Sequence, residues 1–352
     1  TKTDHLKFHI PSHRFDMELE EDLYEEILRC YGYDNIPINP PKSGPVARAT
    51  DYSASEKLKG GLVFGGFQEL MHMPFVSTET FNALNSNNWS PAELSNPINE
   101  NEPLMRGSLF GSLFSAINLN VKKGYSAMKF FEHGNVFRKI KNGFVQESHI
   151  SGLIYFHESQ KTWSDKSLQY DFYSLKAEVL QLLETLRVKS IKLVPNSSSM
   201  IFTVNAMDIF AGKRKIGMLG EINPTATQKL IKNPAFGFEI YPEKISTKSS
   251  TLKLKPVSKF PSSSRDLNIL INQSYSYAEI ETVLLNSKIQ FLHSLALANI
   301  FEGKGIPDGS ISMTLRFMFQ SPVKSLKESE INTSMDKAFH LLNKAFKAKI
   351  RS

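Results

Sequence analysis

The chain has 352 residues, 41% hydrophobic and 22% charged, which is enough for two or three separate cores and too balanced for a disordered or fibrous protein. It contains no apolar run of membrane-spanning length, and its single cysteine, Cys30, excludes an intramolecular disulfide and any multi-cysteine metal site. The net charge of +7 is uneven: residues 251–352 hold 14 Lys and Arg against 8 Asp and Glu, whereas the first 250 hold 28 against 27. The last third therefore either meets a polyphosphate or keeps a lysine-rich surface for solubility. The opening TKTDHLKFHIPS lacks a signal-peptide shape and an initiator methionine. The chain reads as the C-terminal part of something longer, in a cytoplasmic setting.

The first element is Arg14 to Pro37, RFDMELEEDLYEEILRCYGYDNIP. Seven carboxylates lie between Asp16 and Glu26, with no basic residue among them. The spacing predicts a helix in which Leu23 and Ile27 face a core and Cys30 fills it. Gly32 caps the helix and Pro37 bars its continuation. Asp22, Glu25 and Glu26 gather on one face, and a turn can fold Asp16 back towards them. Such carboxylates repel. Either water and the positive end of the helix dipole relieve them, or a hard cation such as Mg2+ does.

Residues 38–52 read as a linker rich in Pro and small residues. Ser53 with Glu56 predicts a capped helix carrying Leu58 and Leu62, ended by Gly65 and Gly66. QELMHMPFVS reads as a strand, with His72 close to the core rather than a ligand. Ser108 predicts the cap of a helix burying Leu109, Leu113, Ile117 and Val121, followed by the strand KFFEHGNVF. HISGLIYF is a further strand, Trp163 a packing anchor, and Asp171 or Ser174 the cap of the next helix. A hairpin turns at AGKRK through Gly212, and Lys213, Arg214 and Lys215 form a basic tip read as solvated, though able to touch RNA. Residues 246–257 are a Ser, Thr, Lys and Pro-rich linker. The remainder predicts a ferredoxin-like βαββαβ domain with helix caps at Ser276–Glu279 and Ser325–Glu328. Its third strand puts Phe317 and Phe319 on the core face and Arg316 on the other.

The acidic segment resembles the end of the fifth module of the phenylalanyl-tRNA synthetase beta-subunit family: Arg-Phe-Asp, a glutamate-rich turn, Asp-Leu, paired glutamates, Tyr-Gly-Tyr and Ile-Pro. His13 departs from the family's tryptophan. Leu94 to Phe137 is similar to the family's Asn-Pro … Met-Arg … Leu … Leu helix and Phe-Glu-x-Gly-x-x-Phe strand, and Gly217, Gly220, Glu221 and Pro224 keep a further run. Pro195 to Met200 replaces the usual His-Pro-Gly turn. Lys259-Phe260-Pro261, Arg265-Asp266-Leu267, the Gly303 to Pro307 turn and Leu315-Arg316-Phe317 match the family's ferredoxin-fold anticodon-binding domain.

The resemblance implies an α+β chain. Residues 1–40 end the helical, metal-binding fifth module, and 41–245 form an antiparallel, class II synthetase-like domain. After the linker, 258–352 form the anticodon-binding domain. The middle domain is expected to be non-catalytic. Phe137-Arg138 is followed by Lys139-Ile140 where the class signature has x-Glu, and no Gly-x-Gly-x-Glu-Arg run occurs. Arg106 and Glu132 are remnants, with Arg106 expected to tie the helix start to a carboxylate. The family implies a Mg2+ ion held by Asp16, Asp22, Glu25 and Glu26 and shared with an alpha subunit. It also implies a heterotetramer of two alpha and two beta subunits that uses ATP and phenylalanine to charge tRNA(Phe), away from any membrane. Lys259, Arg265, Lys304 and Arg316 are the expected grip on the tRNA backbone. The rival readings are a stand-alone RNA-binding scaffold with a degenerate synthetase-like domain, and an independent class II synthetase.

Overall fold

The computed structural model describes residues 6–39, 53–85, 89–156, 170–203, 205–227, 234–246, 256–303 and 305–351. It divides into two units, 1–250 and 251–352. Trp163, most of the 38–52 linker and most of the 246–257 linker lie outside the described residues.

The first unit begins with helix α1 (Glu20–Tyr31), closed by Gly32, whose N–H donates to the Leu28 carbonyl at 2.8 Å. A 3-10 turn, Tyr33–Asn35, follows. The expected core of this segment is not found. No residue of α1 is buried, Ile27 is 56% exposed, and Cys30 is exposed. A helix of 12 residues and one turn offer too little apolar surface to enclose a core.

The rest of the first unit runs through α2 (Ala54–Phe64), β1 (Gln68–Leu70), β2 (Phe75–Val76), α3 (Thr78–Leu84), β3 (Leu104–Met105) and α4 (Phe110–Lys122). It continues with β4 (Ala127–Ile140), β5 (Gly143–Phe156), α5 (Phe172–Thr185), β6 (Ile191–Pro195), β7 (Met207–Ala211), β8 (Arg214–Glu221) and β9 (Ala235–Ile240). Polar side chains set the helix starts. Ser53 accepts the Glu56 N–H at 3.2 Å, and Asp171, not Ser174, caps α5 by accepting the Ser174 N–H at 2.8 Å. The expected strand QELMHMPFVS is two short strands, β1 and β2, because His72 leaves the ladder to meet Glu132.

Seven strands form one sheet in the order β1-β4-β5-β9-β8-β7-β6, antiparallel except for the β1–β4 pair at one edge. Alternation along the strands supplies both faces. Phe131, Ile150 and Ile154 pack under α2 and α5 with Leu58, Leu175 and Val179. Phe130 and Leu153 pack under α4 with Phe110, Leu113 and Ile117.

The second unit contains β10 (Ser263–Asn272), α6 (Tyr277–Asn286), β11 (Leu292–Phe301), β12 (Ser310–Phe319), α7 (Glu328–Phe346) and β13 (Lys349–Ile350). This is the expected βαββαβ order, with the sheet arranged β11-β12-β10-β13. Ile269, Ile271, Met313, Leu315, Phe317 and Phe319 pack against Ile280, Leu284, Ile331, Ala338 and Leu342 of the two helices. Ser276 and Glu279 form the expected reciprocal cap of α6. Helix α7 differs: it starts at Glu328 rather than being capped at Ser325. Glu330 accepts the Lys327 N–H at 3.0 Å and the Lys324 ammonium, and so fixes the start further along. Strand β11 has two register irregularities, between Leu292 and Ser294 and between Leu297 and Asn299. The second moves Phe301 opposite Ser312, out of the period begun by Leu295 and Leu297.

Close backbone approach makes Gly217 irreplaceable. A Cβ there would lie 2.3 Å from the Glu239 carbonyl oxygen of the adjacent strand. Gly217→Ala should therefore destabilise the first unit by about 1–3 kcal/mol, read as a lower midpoint in urea unfolding. An unchanged midpoint would mean that β8 and β9 can separate without cost.

Candidate functional site

The acidic segment is organised by arginines at its two ends. Arg14 Nε and Nη2 donate to the Asp16 carboxylate at 3.0 and 2.9 Å, and Nη2 also donates to Glu26. Arg29, one turn beyond Glu26, pairs with the same carboxylate. Asp16 does fold back: Arg14 N–H donates to the Pro11 carbonyl at 2.9 Å, turning the chain before the helix. Asp22 faces a different way. Its Oδ2 accepts the Glu18 and Leu19 N–H groups, both at 2.8 Å, and satisfies the helix start. Glu25 is exposed. The hydrogen bond from Arg14 holds the Asp16 carboxyl below its usual range, Arg29 and then Arg14 do so for Glu26, and the Leu19 and Glu18 amides do so for Asp22.

Asp16 and Glu26 are thus brought together through Arg14, while Asp22 and Glu25 are not. Among the described residues no three His, Cys, Asp or Glu side chains gather where they could hold a metal. As placed in this chain, the four carboxylates do not converge on a point where a Mg2+ ion could take them together: Asp16 and Glu26 are engaged by the two arginines, Asp22 is turned to the helix-start amides, and Glu25 is exposed apart from them. The signal for Arg14 and Arg29 was in the sequence: they stand two residues before Asp16 and three after Glu26.

On the α4 face of the seven-stranded sheet, polar side chains replace apolar ones towards one end. Arg106 and Glu132 are 5% and 1% exposed, and the guanidinium Nη1 donates to the carboxylate at 2.6 Å. Arg106 Nε donates to the Asn135 carbonyl at 3.0 Å, and His72 Nδ1 lies 2.7 Å from the other Glu132 oxygen. The expected tie between Arg106 and a carboxylate is present, with Glu132 as the carboxylate. Further along, Ser151 Oγ donates to Glu239 at 3.1 Å, Tyr241 donates at 3.3 Å, and His149 Nδ1 lies 3.1 Å away, off the line of a hydrogen bond. Burial pushes the Glu239 carboxyl up, but His149, Ser151 and Tyr241 outweigh it and hold the carboxyl below its usual range. Burial and the Glu239 charge push the Tyr241 hydroxyl well up.

Glu239, His149 and Tyr241 line a polar cavity of about 270 Å³, together with Arg138, Glu147 and Lys244. The Arg138 guanidinium lies 4.9 Å from the centre of the Trp89 ring and donates to Glu147 at 3.2 Å. The arginines on this face are therefore engaged with the protein itself. Phosphate stabilisation needs preorganised positive charge directed at the reacting group.

In the second unit, Arg316 forks onto Asp266 through Nε at 2.8 Å and Nη2 at 2.7 Å. The pair lies on the sheet face away from the helices, and Arg316 holds the Asp266 carboxyl below its usual range. Arg265 pairs in register with Phe317 and so belongs to the opposite, helix-covered side. It donates to Ser263 Oγ at 3.2 Å and the Ser264 carbonyl at 3.0 Å, and lies 3.7 Å from Glu328. Lys259 is exposed just before β10. Lys304 lies outside the described residues. The fold thus does not bring Arg265 and Arg316 to one surface. The pairing of Asp266 with Arg316, which offsets the charge Arg316 offers, escaped the sequence reading because the two are 50 residues apart.

Three family models match consecutive stretches of the chain. They are the tRNA synthetase B5 domain over residues 1–33, the phenylalanyl tRNA synthetase beta chain CLM domain over 36–241, and the ferredoxin-fold anticodon binding domain over 258–351. The phenylalanine–tRNA ligase beta subunit of Dechloromonas aromatica is 30% identical over 364 residues, covering 99% of this chain and 45% of that protein. The beta subunit of Chromobacterium violaceum is 29% identical, covering 92% of this chain and 41% of its own. The chain therefore spans less than half the length of these relatives.

Two outcomes are expected from this geometry. Because the folded Glu239 carboxyl titrates below its ordinary value of 4.5, its stabilisation is present above that pH and is lost as pH falls through the folded value. Glu239→Gln should lower stability at pH 7 by about 1–3 kcal/mol, and the gap from wild type should close in melts at progressively lower pH; a gap constant with pH would refute the charged carboxylate. Arg14→Gln should release Asp16 and Glu26 and tighten Mg2+ binding by the chain in calorimetry. No change in Mg2+ affinity would show that releasing these carboxylates from Arg14 does not create a site for the ion.

Proposed function

The chain belongs to the phenylalanyl-tRNA synthetase beta-chain family, and on that premise we propose that it serves as a non-catalytic part of phenylalanine–tRNA ligase. The ligase joins L-phenylalanine to tRNA(Phe), converts ATP to AMP and pyrophosphate, and carries out this chemistry on a partner alpha subunit. The observation that carries the reading is the match of three synthetase modules in unbroken order along the chain.

The geometry supports the division of labour. Arg106 is held by Glu132, and Arg138 is held by Trp89 and Glu147, so neither is poised as a free clamp for the phosphates of ATP. An apolar groove of about 470 Å³ runs between α2 and α5, lined by Leu62, Phe67, Val179 and Leu182, and Phe64 beside it is 96% exposed. An apolar surface of this kind is what a partner subunit covers. The alpha subunit is its proposed occupant, in a heterotetramer of two alpha and two beta chains.

Mg2+ accompanies ATP in the proposed reaction. The acidic segment becomes a ligand set for it only once Arg14 and Arg29 are drawn off Asp16 and Glu26. The second unit grips tRNA(Phe) by its backbone, with Lys259, Lys304 and Arg316 as the proposed contacts and Arg316 sharing its charge with Asp266; Arg265, on the helix-covered side, would make a separate contact. No helix among the described residues is long and apolar enough to cross a membrane. The proposed setting is the cytoplasm, where the tRNA is charged.

Co-expression with an alpha subunit tests the reading. The two chains should copurify, and phenylalanine-dependent pyrophosphate exchange should require both. Phe64→Asp should reduce the recovered alpha subunit several-fold. Exchange by this chain alone, or purification without any partner, would reject the proposal.

A further inference from the structure

We propose that the synthetase-like part of the chain carries a second RNA contact, a basic cleft that takes the sugar-phosphate backbone. The cleft is about 510 Å³ and lies where the end of α5, the β7–β8 turn and the segment after β9 converge. Arg187, Lys189, Arg214 and Lys244 line it, and no Asp or Glu does among the described residues. It rests on the reading of the chain as a tRNA-ligase subunit, but it is separate from the proposed grip of the second unit.

Three features distinguish the cleft from a solvated basic run. First, its cations come from three stretches spanning nearly 60 residues of sequence, so the fold assembles them at a cost in mutual repulsion. Second, no described carboxylate lines the cleft, whereas four cations elsewhere on this unit each meet one: Lys59 with Glu69 at 2.9 Å, Lys129 with Glu178 at 2.6 Å, Arg138 with Glu147 at 3.2 Å and Lys215 with Asp208 at 2.8 Å. Lys189, Arg214 and Lys244 make no such ion pair with a described residue. Third, the walls are built from unusual backbone. Arg187 and Ser190 hold left-handed conformations, with φ of 59° and 55°, which cost a non-glycine residue about 1 kcal/mol or more. The Gly212 N–H donates to the Ser190 carbonyl at 3.0 Å and joins the two walls.

The Lys244 ammonium rests 4.3 Å from the centre of the Tyr241 ring. That contact holds the cation in place without neutralising it. The ring belongs to the wall of the neighbouring polar cavity, and no aromatic side chain lines the cleft among the described residues, so the cleft offers no ring face on which a base could stack. The cleft is fitted to phosphates and not to base edges, the part of recognition that positions an RNA without reading its sequence.

The test uses the full chain and end-labelled tRNA(Phe), with affinity followed by fluorescence anisotropy from 50 to 250 mM KCl. The Lys189→Gln/Arg214→Gln/Lys244→Gln variant should bind about 10-fold or more weakly, and its dependence of log K on log salt should be shallower by about 2–3. Lys213→Gln, at the hairpin tip outside the cleft lining, serves as the control and should shift binding far less. Photo-crosslinks from the tRNA should map in the wild-type chain to peptides containing residues 187–190, 212–214 or 244, a readout independent of how the variant folds. Equal affinity and salt slope in a triple variant that melts like wild type would overturn the proposal, as would crosslinks confined to the second unit. Inorganic phosphate and ATP form separate arms: their loss from the triple variant with tRNA binding intact would assign the cleft to a free phosphate compound and overturn the RNA contact. If Lys259→Gln/Arg316→Gln weakens tRNA binding while the cleft variant does not, the cleft fails and the tRNA-ligase reading stands. If the wild-type chain binds no tRNA even with its alpha partner, both fail.

Discussion

A buried guanidinium–carboxylate pair holds together the α4 face of the seven-stranded sheet. Arg106 and Glu132 are almost wholly removed from water, and two charges at that depth are tolerated only because each has several partners. Arg106 uses its main chain as well. Its N–H donates to the Pro74 carbonyl at 2.8 Å, and its carbonyl accepts the Phe137 N–H at 2.9 Å. One residue therefore joins the loop before β2, the segment leading into α4, and strand β4. A charge committed in this way is a structural element.

The same rule governs both ends of the chain. Charges that look available in sequence are engaged once the chain folds. Asp16 and Glu26 meet through Arg14, Asp22 closes a helix, and Arg316 forks onto Asp266. Exposed pairs of this kind contribute little to stability. Their effect is to set how much net charge each surface shows a partner. A ligand arriving at such a surface must be bound more tightly than the internal partner it displaces. At the basic cleft of the first unit, Lys189, Arg214 and Lys244 face no carboxylate competitor among the described residues; the Arg214 guanidinium donates to the Lys244 carbonyl at 3.5 Å, and Lys244 rests on the Tyr241 ring.

Local chemistry was legible in the sequence, and long-range pairing was not. The caps at Ser53, Asp171 and Ser276, the stop at Gly32, and the alternation that buries Phe317 and Phe319 all depend on neighbours within a few residues. The ferredoxin-like order followed from that spacing. The failures have a common origin. Cys30 and Ile27 had the right helical period, but the segment has no enclosed core for them to enter. Ser325 had the right distance to Glu328, but Glu330 made the stronger contact with the helix start. Arg265 and Arg316 sat near matching motifs, yet strand register turned them to opposite faces. The cleft was visible only as a three-residue basic tip, because its remaining cations are brought in from distant turns.

The two irregularities in β11 have a further effect. This strand forms one border of the four-stranded sheet, and a straight border presents a row of unsatisfied amides and carbonyls that can template another chain. Extra residues at two points break the even spacing of that row, so a second sheet finds no continuous ladder to extend. Such a border would keep neighbouring copies from zipping into cross-β aggregates without relying on charge.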